Sequence, residues 1–246
     1  MKRFATMTGL LAVSVPALFV SCGNQSLPTA DDVPAIIAEA QGTQSVAKLR
    51  DSPARRAVRV SFKTALYFDS VHEAEVGRRF RTPELRTYLM LSDSYVGGDF
   101  PRKIAVLLRE VQQADQNYLQ QVASFPTVLT DQLSRTDLPT AQRQSLEAEM
   151  AQAYSARQRP VVAAVTALDS FVQLTAQIYE LMAANAGSVQ STRTGLQISN
   201  GGVQQRFNAL VDRVNRAHEV ADTAIRRLSP EQQARFTKMG VTKRIN

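Results

Sequence analysis

Residues 150–182 read MAQAYSARQRPVVAAVTALDSFVQLTAQIYELM, and mainly apolar side chains recur in this stretch at alternating steps of three and four residues. Such steps place one stripe on one face of an α-helix, and isolated helices are only marginally stable in water without a partner face. We therefore predict a helix over residues 139–186 that packs against other helices. Its predicted seam consists of Met150, Tyr154, Arg157, Val161, Ala164, Leu168, Phe171, Thr175, Ile178 and Met182.

Pro160 lies inside this predicted helix. A proline removes one backbone hydrogen bond and clashes with the preceding turn, so we expect either a kink or a break near Arg159. The apolar stretch that follows, residues 161–182, admits two interpretations: a segment that inserts into a membrane, or the central helix of a bundle. Asp169 and Glu180 favour the central helix, because each charge costs about 2.5–3.5 kcal/mol at the centre of a bilayer.

Two further long helices are predicted, one on each side of the central one. The first begins at Pro101 and ends at Pro126, and the second follows residues 188–202, which we interpret as a loop with at most one helical turn. Both have seams with the same steps of three and four residues. The two seams are Ile104, Leu107, Val111, Ala114, Tyr118, Gln121 and Phe125, and Phe207, Leu210, Val214, Ala217, Ala221, Ala224 and Leu228.

The N-terminal half has a less regular pattern. Asp32 is placed to cap a short first helix, and Ser52 and Pro53 are placed to begin a longer one that runs to Phe80. Residues 57–68 also alternate like a strand. We favour a helix, because no second strand with a suitable turn is available for pairing.

Two short helices complete the predicted set. One runs from Thr82 to about Tyr95, and the other begins with a capping box at residues 229–232 and ends at Gly240. The absence of Trp and the 44% hydrophobic content agree with a globular helical domain. The predicted fold class is all-α: an elongated antiparallel helical bundle with coiled-coil-like seams.

The first 22 residues, MKRFATMTGLLAVSVPALFVSC, have the layout of a secretory signal peptide. Lys2 and Arg3 form a positively charged start, an apolar stretch follows, and a small residue precedes Cys22. The last four residues, FVSC, resemble the lipobox of bacterial lipoproteins, with Phe19 where that class favours Leu. The resemblance implies that the chain is cut before Cys22 and anchored to a membrane through a diacylglyceryl group on its thiol.

Cys22 is the only cysteine in the sequence, so no internal disulfide can form. In an oxidising compartment a lone thiol is a liability unless lipidation consumes it. Gly23 follows, and because Asp at this place commonly retains lipoproteins at the inner membrane, the resemblance implies the outer membrane in a two-membrane organism. We therefore expect a signal peptide over residues 1–21, a polar tether over 22–31 and the helical bundle domain over 32–246.

Motifs for metal binding or catalysis are not recognisable in the sequence. The only histidines, His72 and His218, do not stand in a metal-ligand spacing with other donors. We therefore expect no metal and no cofactor. The net charge of +7 is modest, and no aromatic-basic or groove-reading motif is present, which argues against nucleic acid as a partner.

Two sets of residues remain as candidates for a site. Arg55, Arg56 and Arg59 form a basic cluster, which is either a face for an anionic partner or an ordinary solvated face. Asp69 and His72 share an apolar stripe one helical turn apart. They form a buried polar pair, contact a ligand, or lie at the edge of the stripe, which is the interpretation we favour.

Three functional hypotheses follow. The first is a lipid-anchored, non-catalytic envelope protein that acts as a scaffold or adaptor for a protein partner. The second is a binding protein for a small or anionic ligand, held between helices or on the basic face. The third is an enzyme with an unrecognised site, for which His72 and Glu73 are the residues to test.

Overall fold

The computed structural model describes residues 26–46, 51–85, 98–192 and 195–240. These residues form an all-α bundle, as predicted, with one small hairpin. Its elements are α1 (Val33–Ala40), α2 (Pro53–Phe80), α3 (Phe100–Ala123), α4 (Phe125–Ser134), α5 (Thr140–Ala184), β1 (Val189–Thr192), β2 (Gly195–Ile198), α6 (Gly201–Arg226) and α7 (Pro230–Met239). The signal peptide, Cys22 and most of the helix predicted from Thr82 to Tyr95 lie outside the described residues.

The central helix is α5, whose 45 residues extend over about 68 Å. Helix α3 runs antiparallel to it, because Arg109 in the first half of α3 pairs with Glu180, whereas Phe125 just after α3 stacks on Tyr154. Helix α6 packs against α5 on another side, where Phe171 contacts His218. Helix α5 therefore packs against two long helices.

Helix α5 is continuous from Thr140 to Ala184, so of the two expected alternatives, a kink or a break, the structure excludes the break. The proline leaves one carbonyl of the preceding turn without its usual donor. In that turn, Gln232 of α7 donates a side-chain hydrogen bond to the Arg157 carbonyl at 3.4 Å. The carbonyl that Pro160 leaves without a donor is that of Ala156, so this bond is an additional contact between α5 and α7 and does not replace the missing one.

Helix α2 confirms the helical interpretation of residues 57–68. It begins as predicted, because the Ser52 hydroxyl accepts a hydrogen bond from the Arg55 amide at 3.1 Å and Pro53 occupies the first turn. Four other helices, α1, α3, α4 and α7, pack around it. Contact on so many sides explains the mixed pattern, since a helix surrounded by neighbours buries more than one stripe.

Two elements between the long helices differ from the predictions. Pro126 does not end a helix: α3 ends at Ala123, and Pro126 lies in the first turn of α4, where its missing amide hydrogen costs nothing. The loop predicted over residues 188–202 contains an antiparallel hairpin, in which Val189 pairs with Ile198. The backbone hydrogen bonds of the hairpin are formed between its two strands. The high Ser and Thr content of this stretch indicated a loop and not strands.

The last residues of the predicted tether contact the folded body. Leu27 packs against the core, Pro28 is buried, and the Ala30 amide donates a hydrogen bond to Glu149 of α5 at 2.6 Å. The backbone of these polar and small residues therefore lies against the folded body, because the Glu149 carboxylate accepts a hydrogen bond from it.

The apolar core is divided into two clusters by a polar layer. Along α2 the layer comprises Asp69 and His72, between the apolar Ala65 and Val76, and along α5 it contains Gln158. One cluster is formed mainly by α3, α5 and the ends of α2 and α7, and the other by α1, α4 and the starts of α2 and α5. This layer is where the chemistry-bearing side chains of the bundle meet.

Candidate functional site

At the centre of the polar layer, His72 of α2 faces Asp115 of α3. The His72 Nε2 and Asp115 Oδ1 atoms are 2.7 Å apart, and the two side chains are 1% and 0% exposed. The other polar atom of each side chain, Nδ1 and Oδ2, has no partner among the described residues. Burial raises the pKa of Asp115, and the contact with His72 opposes that shift.

A second carboxylate, Asp169 of α5, lies close enough to be affected by Asp115. Burial raises the pKa of Asp169 to about 6, and the charge of Asp115 contributes to the shift. The Asp169 Oδ1 atom is buried without a hydrogen-bond partner. The His72–Asp115 pair is buried among the described residues, whereas acid–base catalysis needs direct or water-mediated contact with a substrate.

Towards the surface, the layer continues through Tyr118 of α3. The Tyr118 ring stacks on His72 with centroids 4.3 Å apart, and its hydroxyl donates a hydrogen bond to Asp69 at 2.7 Å. Asp69 in turn pairs with Arg235 of α7 at 3.0 Å, and Arg235 also donates to the Asp69 carbonyl at 3.2 Å. These contacts join α2, α3 and α7 and lead from the sealed pair to the surface.

The layer opens into a surface cavity of about 370 Å³ between α2, α5 and α7, which we call the cleft. Its walls carry cations and anions in equal number: Arg157, Arg235 and Lys238, and Asp69, Glu73 and Glu231. The pairs at its mouth are long, with Arg157 at 3.6 Å from Glu231 and Lys238 at 3.8 Å from Glu73. Its lining also includes Gln158, whose side chain is buried.

The structure does not join Asp69 and His72 to each other. His72 pairs with Asp115, whereas Asp69 pairs with Tyr118 and Arg235. His72 is 3% exposed, so it does not lie at the edge of the stripe, the interpretation favoured from the sequence. Both residues belong to the same polar layer. They lie one helical turn apart on α2, and each contacts different neighbours.

The arginines of the predicted basic face lie in different environments. Arg55 is buried and pairs with Asp32 at 3.3 Å and Glu39 at 2.9 Å, and Arg59 pairs with Glu39 and Asp51. Only Arg56 has a largely exposed side chain, at 60%. The hydrogen bond from Arg59 lowers the pKa of Asp51. Two of the three guanidinium groups therefore connect α2 to α1 and to the residues just before α1 and α2. They are not free to bind an external anion.

A second surface feature lies between the end of α5 and the start of α6, and we call it the groove. Each helix contributes one face to it, Gln177, Glu180, Leu181 and Ala184 from α5, and Arg206, Ala209, Leu210 and Arg213 from α6. The groove has a volume of about 530 Å³. Glu180 pairs with Arg109, whereas Arg206 and Arg213 have no carboxylate partner among the described residues.

Among the described residues, α5 is the one helix that is long and apolar enough to cross a membrane by length and composition. The same helix has α3 and α6 packed along it, and its apolar residues contribute to both core clusters. This packing agrees with the central-helix interpretation of residues 161–182.

Several residues of the layer were missed by the sequence analysis. Asp115 lies four residues after Val111 and three before Tyr118, so it shares their buried stripe, and a charge at such a position is a usable signal. Arg235 gave no signal, because its partner Asp69 is distant in sequence and only the packing of α7 brings them together. The alternation of Val189, Leu196 and Ile198 was the available signal for the hairpin.

The arrangement offers no recognisable metal centre. In the part of the chain that the structure describes, no group of three or more His, Cys, Asp or Glu side chains is placed to hold a metal ion. Comparison with protein-family models, curated proteins and solved structures gave no match for this chain.

Proposed function

We propose that this protein is a lipid-anchored, non-catalytic component of a bacterial cell envelope that acts as a scaffold or adaptor, and that the groove binds its protein partner. The observation that carries the proposal is the groove itself: an apolar strip between α5 and α6 flanked by Arg206 and Arg213. The sealing of the His72–Asp115 pair supports a non-catalytic role, since the most unusual ionisable groups are out of reach.

The chemistry of the groove selects the kind of partner. Its two arginines are seven residues apart, so both lie on one face of α6, and neither is neutralised by a carboxylate of the described chain. A second copy placed by two-fold symmetry would bring the same arginines towards each other, which is unfavourable. The partner that fits is an amphipathic helix with apolar residues along one face and Asp or Glu beside them.

Membrane anchoring rests on the lipobox resemblance at residues 19–22. A lipid at Cys22 holds the domain at one membrane surface and raises its effective concentration for a partner at the same membrane. Mass spectrometry of the N-terminal peptide tests this part. The expected result is a diacylated Cys22, together with release from the membrane in a Cys22→Ala variant. A mature chain without lipid would contradict the anchoring.

Site-specific photo-crosslinking in cells tests the groove. A photoreactive residue at Ala209, in the groove, is compared with one at Tyr67, which is 65% exposed on α2 and outside it. We expect Ala209 but not Tyr67 to crosslink to an acidic helical segment of an envelope protein. The crosslink should be lost in a variant with Arg206→Glu and Arg213→Glu, because charge reversal repels that segment.

Three outcomes would overturn the groove as the adaptor surface. The first is equal crosslinking from Ala209 and Tyr67. The second is a crosslink from Ala209 only to another part of the same chain or to a second copy. The third is a partner crosslink that survives the double charge reversal. Unchanged unfolding curves for the variants would show that loss of crosslinking is not caused by loss of the fold.

A further inference from the structure

The side of α2 that faces away from the bundle carries cations and apolar residues but no carboxylate. Its exposed residues recur at steps of three and four, so they form one stripe that extends over about 38 Å, which we call the outer face. Three of its residues are cations, and Val60 and Tyr67 are 40% and 65% exposed. The outer face consists of Pro53, Arg56, Val60, Lys63, Tyr67, Ser70, Ala74 and Arg78.

The cations of the outer face are weakly neutralised. Lys63 and Arg78 have no carboxylate partner among the described residues, and Arg56, whose side chain is 60% exposed, approaches Asp51 only to 3.5 Å. The exposed residues of α6, in contrast, include Asp212 and Glu219 beside its arginines. A face with charges of one sign attracts a surface of the opposite sign.

The apolar residues of the outer face narrow the kind of surface. Val60 and Tyr67 lie two helical turns apart, with Lys63 between them. Tyrosine is enriched where a bilayer meets water, because its ring tolerates an apolar environment while its hydroxyl reaches polar groups. Basic residues on the same helix face are attracted to anionic lipids. The combination fits the headgroup region of an anionic membrane.

The length of chain before the folded body agrees with this orientation. Leu27, which packs against the core, is five residues after Cys22, and even a fully extended chain of that length spans at most about 18 Å. Asp32 follows closely and pairs with Arg55 in the first turn of α2 at 3.3 Å. Arg56, the first cation of the outer face, is the next residue. A lipid on Cys22 therefore holds the start of α2 near the membrane.

We propose that the outer face of α2 lies against the anionic lipid surface of the membrane to which the chain is anchored. Arg56, Lys63 and Arg78 contact lipid phosphates, and Tyr67 lies at the level of the headgroups. This inference rests on the lipid anchoring in the proposed function. Helix α6 packs mainly against α5, so the groove and the outer face are separate surfaces, and a protein partner does not compete with the membrane.

Fluorescence quenching tests the inference on the full chain reconstituted in vesicles. A fluorescent amino acid replaces Tyr67 or, as the matched control, Val220, which is 60% exposed on α6. The vesicles contain phosphatidylcholine alone or mixed with phosphatidylglycerol, and a lipid with a nitroxide on its headgroup quenches nearby fluorophores. In the mixed vesicles we expect about twofold stronger quenching at position 67 than at position 220, and high salt should reduce the difference. In phosphatidylcholine alone we expect nearly equal quenching.

Charge variants locate the contact. The combined changes Arg56→Gln, Lys63→Gln and Arg78→Gln remove the three cations of the outer face, and we expect them to abolish the extra quenching at position 67. A control variant loses the same net charge from exposed positions of α6, and its quenching should be unchanged. The control changes are Arg206→Gln, Arg213→Gln and Arg216→Gln. Unfolding curves identify any variant that is simply misfolded.

Three results would overturn this inference: equal quenching at positions 67 and 220 in the mixed vesicles, the same difference in phosphatidylcholine alone, or a difference that survives loss of the three cations. Mass spectrometry of each preparation reports the lipid on Cys22 separately. For a chain without that lipid, mixed vesicles are added in excess, and the same dependence on phosphatidylglycerol and on the three cations is expected. Failure of the outer face is therefore distinguishable from failure of the anchoring.

Discussion

Helices α2 and α6 have nearly equal lengths, 28 and 26 residues, but they differ in how they are used by the bundle. The α6 sequence has the more regular seam, yet only Val203, Ala221 and Ile225 are buried in this helix. The α2 sequence has a mixed pattern, yet its buried residues extend along its length and include Arg55 and His72.

The difference follows from the number of neighbours. Helix α6 packs mainly against α5 and therefore needs one stripe, part of which remains half-exposed beside the groove. Helix α2 contacts four helices, so apolar and paired polar residues occur on several sides and no single stripe dominates. A regular seam thus indicates one partner, and it does not indicate how deeply the helix is buried.

The largest effect is expected from removing an aromatic side chain in the core of α2. Phe62 is 2% exposed and its ring lies 5.2 Å from that of Phe125, so Phe62→Ala should lower the free energy of unfolding by about 3–5 kcal/mol. Phe207→Ala is the matched change in α6, where the side chain is half-buried, and about 1 kcal/mol is expected. Urea denaturation measures both. Equal losses would show that α6 is as deeply packed as α2.

The next effect concerns the sealed polar pair. Asp115→Ala leaves His72 buried without its partner and should lower the free energy of unfolding by about 3 kcal/mol. Replacing both residues, with His72→Phe and Asp115→Leu, should restore stability to within about 1 kcal/mol of the parent, since neither position then holds a polar group that has lost its partner. The same denaturation experiment checks both variants. A double variant as unstable as the single one would show that the pair is required for the fold.

Arginine replacement contrasts the two helices by charge. Arg55→Ala removes a buried guanidinium that bonds Asp32 and Glu39, and a loss of about 2–3 kcal/mol is expected. Arg213→Ala removes an exposed guanidinium of the groove that has no carboxylate partner among the described residues, and a change within about 0.5 kcal/mol is expected. If Arg213→Ala is as destabilising as Arg55→Ala, the groove is part of the folding core and not a free surface.

The smallest effect depends on pH. The folded pKa of Asp169, about 6, is raised above its ordinary value of 3.8, so ionisation destabilises the fold as the pH rises between these two values. Asp169→Asn should therefore raise the free energy of unfolding by about 1 kcal/mol at pH 7.5, discounted for partial exposure, and change it little at pH 3.5. Denaturation at both pH values measures this. A gain of the same size at pH 3.5 would exclude the ionisation of Asp169 as its cause.

Sequence patterns gave the helix content, the starts of α2 and α7, and the last turn at Gly240 with its left-handed φ of 83°. Ser52, Pro53 and the Ser229 capping box act on their own backbone, so their effect is readable from a few neighbouring residues. The hairpin was missed because its two short strands carry a weak periodic signal. Helix α4 was missed because Pro126, which lies in its first turn, was interpreted as the end of the preceding helix.

The sequence by itself determined the all-α class, the central position of α5 and most helix ends, because these depend on local hydrogen bonds and on the spacing of apolar residues. Only the tertiary structure decided that His72 pairs with Asp115, that Arg235 reaches Asp69, and that two of the three predicted basic-face arginines are neutralised. These contacts join residues that are distant in the chain, and they form only when particular helix faces pack together. The spacing of apolar residues shows which face of a helix is buried, but it does not show which other helix packs against that face.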